Sequence, residues 1–154
     1  MTGAVAKLAG SSNLEILDQA RFFSTLTGAQ RDRIARIAKL VDYPSQRDIY
    51  KLGDKAACCY VLVRGVVRFK LEAAGRSTSA GDFIRSGDLF GWSALVRNAQ
   101  RRMGTATCVA ACSVLTIDGD EILHLMDRDT AMGYAVMAQV SLLMTSTLTA
   151  LAAG

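Results

Sequence analysis

Apolar and polar residues alternate with two different periods along this chain of 154 residues, and the changes of period divide it into three stretches. Residues 1–12 are small and polar and are expected to form a flexible leader. Asn13 is a residue type that caps helices, and apolar side chains follow it at helical spacing. The same spacing returns from about Thr27 to Val41, so the first stretch is predicted to be helical.

The pattern changes at Tyr43-Pro44 to short apolar runs separated by glycines and polar turns. The predicted strands cover residues 48–52, 59–63, 66–71, 82–85, 106–111 and 114–117. Runs of about five residues interrupted by glycine are typical of a small antiparallel roll or barrel.

Helical spacing resumes near Asp118, with a short amphipathic helix over 120–127 and a long segment over 130–152 that carries no charge. Met137, Val140, Met144 and Leu151 fall near a and d positions of a heptad, which predicts a dimerisation helix. A membrane-spanning helix and a helix buried in its own domain stay open, since the segment approaches the roughly 20 residues of a span. We favour the dimer helix over the span, because polar residues interrupt the segment and no basic cluster flanks it.

The order of helices, strands and helices predicts an α+β fold, an antiparallel β-roll (jelly-roll) flanked by N-terminal helices and a long C-terminal helix. Residues 13–154 are expected to form one domain, with 130–152 as its C-terminal dimerisation helix. A chain of this length buries enough surface for one such core.

Charge narrows the range of functions. The formal net charge of +4 would suit a nucleic-acid partner, but residues 1–105 hold 17 Lys/Arg against nine Asp/Glu, whereas residues 106–154 hold only Arg128 against five acidic residues. Part of the basic excess lies on one face of the second predicted helix, at Arg31, Arg33, Arg36 and Lys39. Without a base-reading motif beside it, this face is interpreted as solvated surface rather than a DNA reader.

Residues that could support catalysis or metal binding are sparse. The cysteines, Cys58, Cys59, Cys108 and Cys112, lack metal-ligand spacing and favour reduced thiols in a cytoplasmic protein. His124 lies among apolar residues, which favours a packed core or edge position over metal ligation. No nucleophile elbow or catalytic pair of carboxylates is found, so neither an enzyme nor a cofactor or metal is expected.

The most informative segments are residues 86–95 and 101–105. Gly91 permits a tight turn into a short helix, and the free N–H groups at a helix start attract anions such as phosphate. Arg102, with Arg101 as its competitor, is placed about ten residues later to donate two hydrogen bonds to the same phosphate. Thr105 adds a hydroxyl.

These segments resemble the phosphate-binding cassette of the cyclic-nucleotide-binding domain superfamily, which includes regulators of the catabolite-activator and FNR type, cyclic-nucleotide-gated channels and protein kinase regulatory subunits. The family pattern is G-D-x-F-G-E-x-A-L followed by R-x-A-[ST]. The matching cassette residues are Gly87, Asp88, Phe90, Gly91, Ala94, Leu95, Arg102 and Thr105, with Gly104 in place of alanine. The resemblance covers roughly residues 20–150. It implies a regulatory β-roll whose phosphate contacts come from Gly91, Ser93, Arg102 and Thr105.

Trp92 departs from the family pattern, which has a glutamate at this position that accepts a hydrogen bond from the ribose 2′-hydroxyl. An indole has one N–H donor and no acceptor. Loss of a hydrogen bond to a charged group weakens binding about tenfold to a hundredfold, so ordinary cAMP or cGMP binding is expected to be weak or lost. Trp92 either closes the pocket by packing or leaves an anion site for another ligand.

Two functions therefore stay open. One is a homodimeric sensor of a cyclic nucleotide or another phosphate-bearing small molecule; the other is a ligand-free dimerisation or adaptor protein that binds a protein partner. A domain anchored in a membrane by residues 130–152 is a third, less favoured interpretation. Regulators of this family continue into a helix-turn-helix, for which the sequence to Gly154 leaves no room, so direct DNA binding is not expected.

Overall fold

Helices frame the two ends of the chain. The computed structural model describes residues 13–73, 76–78, 83–98 and 101–153, so the predicted leader at 1–12 lies outside the described residues. Helix α1 is seen at residues 13–19. The later helices are α2 (Gly28–Ile37), α3 (Gly119–Arg128) and α4 (Thr130–Ala153), and two 3₁₀ turns are η1 (Arg21–Phe23) and η2 (Trp92–Leu95).

The strands form two antiparallel sheets. In chain order they are β1 (Ala38–Tyr43), β2 (Asp48–Tyr50), β3 (Cys58–Arg64), β4 (Val67–Ala73), β5 (Arg76–Thr78), β6 (Phe83–Ile84), β7 (Leu89–Phe90), β8 (Gly104–Cys108) and β9 (Cys112–Asp118). The first sheet has the order β1-β9-β3-β7; the second has β2-β8-β4-β5, with β6 also paired to β4. The predicted α+β β-roll is confirmed.

The β3–β9 pair of the first sheet is buried on both faces, which explains the continuous apolar runs of these two strands. Val61 and Leu115 point to the helices and join the core built with Phe23 and Ile122. Their neighbours along the strands, including Leu62, point to the interior of the roll, because successive side chains alternate between faces.

The prediction that the second helix continues to Val41 is wrong. Thr27 caps α2 through a reciprocal pair of hydrogen bonds with Gln30, and the helix ends at Ile37. From Ala38 the backbone is extended and pairs with β9, beginning with Ala38 opposite Ile117. Ala38 and Val41 have helical spacing in the sequence but lie in a strand. The edge of β9 offers hydrogen-bond partners to the backbone of residues 38–43 along its whole length.

The basic face of α2 is largely neutralised at the surface. Arg31 pairs with Asp18 at 2.7 Å, and Arg33 pairs with Asp129 at 3.1 Å. Arg36 pairs with Asp32 one turn away. This arrangement agrees with the interpretation of a solvated face.

Helix α4 has an inner and an outer face. Met132, Val136 and Val140 are buried in the helical core. The assignment of Val140 to a dimer seam is therefore wrong, because its side chain is completely covered by its own domain. Met137 and Met144 remain more than a third exposed, while the side chain of Leu151 lies outside the described residues.

The outer face of α4 is apolar along a regular strip. Five exposed residues follow one another at alternating spacings of three and four positions. We call them the outer strip: Tyr134, Met137, Ser141, Met144 and Leu148. One stretch of this helix, Thr130–Ala150, is long and apolar enough to cross a membrane, with a mean hydropathy of 1.3. An apolar helix face left in contact with solvent commonly marks an interaction surface.

Two cysteines lie side by side in the roll. Cys108 ends β8, Cys112 begins β9, and their sulfur atoms are in contact across the connecting turn with Cα atoms 6.3 Å apart. Both side chains point into the interior of the roll, which brings them together. Cys58 and Cys59 are free thiols. His124 is exposed on α3, so a packed core position for it is wrong.

Candidate functional site

A cavity of about 330 Å³ lies between the roll and α4. Its roll side includes Tyr50, Phe69, Phe90 and Met103, and α4 covers it with Leu143, Ser146 and Thr147. We call it the aromatic cavity. Its volume is at the lower end of the range of small-molecule sites.

Arg102 is the charged side chain among the described residues that line this cavity. It is only 3% exposed. One terminal nitrogen, Nη1, donates to the carbonyl of Gly91 at 3.0 Å, and Nη2 donates to the carbonyl of Cys58. Arg101 instead is exposed and donates to the carbonyl of Gly53. The structure therefore selects Arg102 over Arg101 as the inward arginine.

An aromatic stack supports the guanidinium group. The Arg102 Cζ atom lies 4.1 Å from the centre of the Tyr50 ring, within the range of a cation–π contact. Tyr60 stacks on Phe90 with ring centres 5.1 Å apart, and Tyr50 stacks on Tyr60 at 6.0 Å. The arginine is thus held by rings and by backbone carbonyls.

These aromatic neighbours do not neutralise the charge. Burial raises the pKa of Tyr60 to about 12, although the nearby Arg102 opposes the rise. Burial raises the pKa of Tyr50 further still. Both phenols therefore stay protonated and neutral at physiological pH.

The positive charge of Arg102 has no carboxylate partner among the described residues. None of the ion pairs found in that part of the chain includes it. Its Nε atom is buried and has no hydrogen-bond partner there. Burial of a charge without a counter-ion is costly, so the site favours an anion.

Gly91 shapes the cavity wall through its backbone. Its φ of 72° is in the left-handed region, and a Cβ atom would lie 2.9 Å from the Tyr60 ring and 3.1 Å from Nη1 of Arg102. Only glycine combines this conformation with so close an approach. The predicted tight turn at Gly91 is present, and η2 follows it with Ser93 buried beside the cavity.

Trp92 forms a wall of the cavity without filling it. The indole is partly buried, packs against the helical core and lines the cavity. About 330 Å³ stays open beside it.

The rest of the predicted cassette has structural contacts. Ala94 and Leu95 are buried in the helical core, Phe90 belongs to the aromatic stack, and Gly87 turns with a φ of 93° before β7. Thr105 does not line the cavity. Its hydroxyl accepts a hydrogen bond from the Leu52 amide at 3.0 Å, because alternation along β8 turns it away from the side of Gly104.

Sequence reasoning missed most of the apolar lining. Tyr50, Phe69 and Met103 come from three separate parts of the roll, and Leu143, Ser146 and Thr147 from α4. Only Met103, next to Arg102, carried a local signal. The others are brought together by the closure of the roll and the docking of α4.

Comparisons with known proteins agree with this geometry. Residues 40–129 match the family model described as the cyclic nucleotide-binding domain. A search of curated proteins found no match.

Solved structures of similar fold come from bacteria and a parasite. A Geobacter metallireducens GS-15 protein described as cyclic nucleotide-binding has a TM-score of 0.73 and 25% identity, covering 87% of this chain and 96% of that one. The sensor domain of the transcriptional regulator DNR from Pseudomonas aeruginosa has a TM-score of 0.73 at 15% identity, covering 92% and 94%. The regulatory domain of Toxoplasma gondii PKA, solved with cAMP, has a TM-score of 0.75 at 16% identity, covering 90% and 52%.

Proposed function

Because this chain belongs to the cyclic nucleotide-binding domain family, we propose that it is a regulatory sensor in which an anion binds Arg102 in the aromatic cavity and changes the packing of α4. The observation that carries the proposal is the nearly complete burial of Arg102 without a carboxylate partner among the described residues. A bound anion supplies the missing negative charge.

The signal route follows from the position of α4. Leu143, Ser146 and Thr147 face the cavity, while the outer strip of the same helix faces solvent. A ligand that contacts α4 therefore biases how the helix sits against the roll, and with it the surface that the helix presents. The proposed output is an altered homodimer or an altered contact with a protein partner, in a cytoplasmic, non-enzymatic protein.

Trp92 makes cyclic nucleotides poor ligands in this proposal. The indole stands where the family resemblance places the carboxylate that accepts from the ribose 2′-hydroxyl, and it has no acceptor to offer. Ser93, which also lines the cavity, offers only an uncharged hydroxyl. We therefore propose an altered ligand preference at an anion site that keeps Arg102.

Titration calorimetry of the full chain with cAMP and cGMP tests this proposal. We expect weak or undetectable binding by the wild type and at least about tenfold tighter binding by Trp92→Glu, because the new carboxylate accepts from the ribose hydroxyl. Trp92→Gln is the matched control, since it opens similar space without adding charge. Adding Arg102→Ala to Trp92→Glu is expected to abolish the gain.

The result that contradicts altered preference is micromolar binding of either nucleotide by the wild type. The sensor proposal itself fails if a panel of phosphate-bearing and carboxylate metabolites leaves the melting temperature of the wild type unchanged. A ligand that raises the melting temperature of the wild type but not of Arg102→Ala supports it.

The outer strip favours a second candidate, a ligand-free dimerisation or adaptor protein. Tyr134 is 81% exposed and Leu148 is 64% exposed, both on a helix without charged residues. Their heptad spacing fits a helix of a second copy better than an irregular partner surface. Membrane anchoring through residues 130–152 stays the less favoured interpretation, and a requirement for detergent to keep the protein in solution would support it.

A further inference from the structure

The side chains with an N–H or hydroxyl group that line the aromatic cavity are Tyr50, Trp92, Ser93, Arg102, Ser146 and Thr147. Most of the side chains around Arg102 are apolar, among them Phe69, Phe83, Met103 and Leu143. A cyclic nucleotide carries hydroxyl, ether and base nitrogen groups in addition to its phosphate. Burying such groups without partners is unfavourable, so these walls select against them.

The polar groups that are present suit one anionic end. Arg102 has an unpartnered Nε within the described residues, while Nη1 and Nη2 already donate to backbone carbonyls. A carboxylate in the cavity can accept from a remaining proton of Nη1 or Nη2, since each terminal nitrogen carries two protons and donates one to a backbone carbonyl. The hydroxyls of Ser146 and Thr147 lie on the α4 wall.

The body of the ligand is constrained by the walls. The rings of Phe69, Phe83 and Trp92 line the cavity, together with those of Tyr50 and Phe90. Aromatic side chains pack well against flat rings by offset or edge contacts. The volume of about 330 Å³ suits a small ligand.

Building on the proposed sensor function, we propose that the ligand class of this cavity is a small aromatic carboxylate, with its carboxylate on Arg102 and its ring against the aromatic walls and α4. Charge at one end and an apolar body at the other match the buried Arg102 and the apolar lining. The same ligand touches Leu143, which gives it direct access to α4.

The test uses a matched pair of probes, 2-naphthoate and its neutral amide 2-naphthamide. They share a ring system and differ in the charge that Arg102 would bind. Trp92, the one tryptophan of the sequence, lines the cavity, so quenching of its fluorescence reports binding at this site. We expect 2-naphthoate to bind the wild type at least about tenfold more tightly than 2-naphthamide, and more tightly than cAMP.

Variants locate the effect. Arg102→Gln is expected to remove the preference for the carboxylate while leaving residual binding of both probes. Arg101→Gln, at the exposed neighbouring arginine, is the matched control and is expected to keep the preference. Because the two probes are compared on the wild type, the result does not depend on whether Arg102→Gln folds.

Equal affinity for the two probes, no quenching by either, or tighter binding of cAMP than of 2-naphthoate overturns this inference. Tight binding of cAMP leaves the sensor function standing with a different ligand. If the protein binds neither probe, neither nucleotide and no member of the metabolite panel, the sensor function is overturned as well.

Discussion

Gly104 stands where the family cassette has alanine, and the packing around it gives the reason. A Cβ atom at this position would lie 2.4 Å from the carbonyl oxygen of Lys70 and 2.8 Å from the ring of Phe69. The neighbouring strand β4 thus approaches β8 closely, and the Phe69 ring takes space at the edge of the cavity. The absence of a side chain here helps to form the aromatic wall.

Gly104→Ala is expected to lower the free energy of unfolding by about 1–3 kcal/mol, because the added methyl group meets backbone that cannot easily move. Chemical denaturation measures the change. Gly28→Ala is the matched control, since nothing lies within 4 Å of its added Cβ atom, and it is expected to leave stability within about 0.5 kcal/mol of the wild type. Equal stability of the two variants would show that β4 and β8 are not held this closely.

At the scale of elements, Asp129 joins three helices at one point. It lies between α3 and α4 and accepts hydrogen bonds from the side chain of Gln30 on α2 at 3.0 Å and from the amide of Met132 on α4 at 3.1 Å. Arg33 adds an ion pair at 3.1 Å. The N-terminal end of α4, which the proposed signal must move, is therefore tied to α2 by one carboxylate.

These contacts make the contribution of Asp129 dependent on pH. The hydrogen bond from Gln30, followed by that from Met132 and the charge of Arg33, lowers the pKa of this carboxyl below its ordinary value of 3.8. A carboxyl whose pKa is lower in the folded state stabilises the fold above its ordinary pKa, and this stabilisation is lost as the pH falls through the folded-state value.

Asp129→Asn is therefore expected to unfold at a lower urea concentration than the wild type at neutral pH, with the difference shrinking as the pH falls below the ordinary carboxyl pKa of 3.8. Asp120→Asn, at an exposed carboxyl on α3, is the control and is expected to show little difference at either pH. A difference for Asp129→Asn that is the same at both pH values would contradict the role of its charge.

At the scale of the whole molecule, α4 connects the cavity to the outer surface. Its inner side packs into the core through Val136 and Val140, and Leu143, Ser146 and Thr147 cover the aromatic cavity. The outer strip leaves an apolar surface along the same helix. One element thus takes part in the core, the candidate binding site and the candidate interface.

Replacing Leu148 in the outer strip tests the interface. We expect the wild type to be a dimer by light scattering and Leu148→Glu to shift it toward monomer, because the new charge would be buried between two copies. Leu142 is 61% exposed but lies outside the strip, so Leu142→Glu is expected to remain dimeric. A monomeric wild type, or equal effects of the two variants, would contradict a dimer through this strip.

Local sequence determined which segments form helices and which form strands, and it identified the cassette that contains Arg102. Apolar spacing and glycine turns depend on neighbouring residues, so the roll and its flanking helices were predictable, as was the turn at Gly91. The family motif already placed Arg102 rather than Arg101 at the candidate anion site. The contacts of the two side chains, with Gly91 and with Gly53, agree with that choice.

Tertiary structure decided what depends on residues far apart in the chain. The end of α2 at Ile37 required the edge of β9, and the inward orientation of Val140 required the core built from α1 to α3. The burial of Arg102 follows only from the tertiary structure, in which strands and η2 close around its side chain. Among the described residues, this packing places no carboxylate in an ion pair with Arg102. Sequence patterns specify local periodicity and residue chemistry, whereas burial and partnering arise from long-range packing, and it is these that define the site.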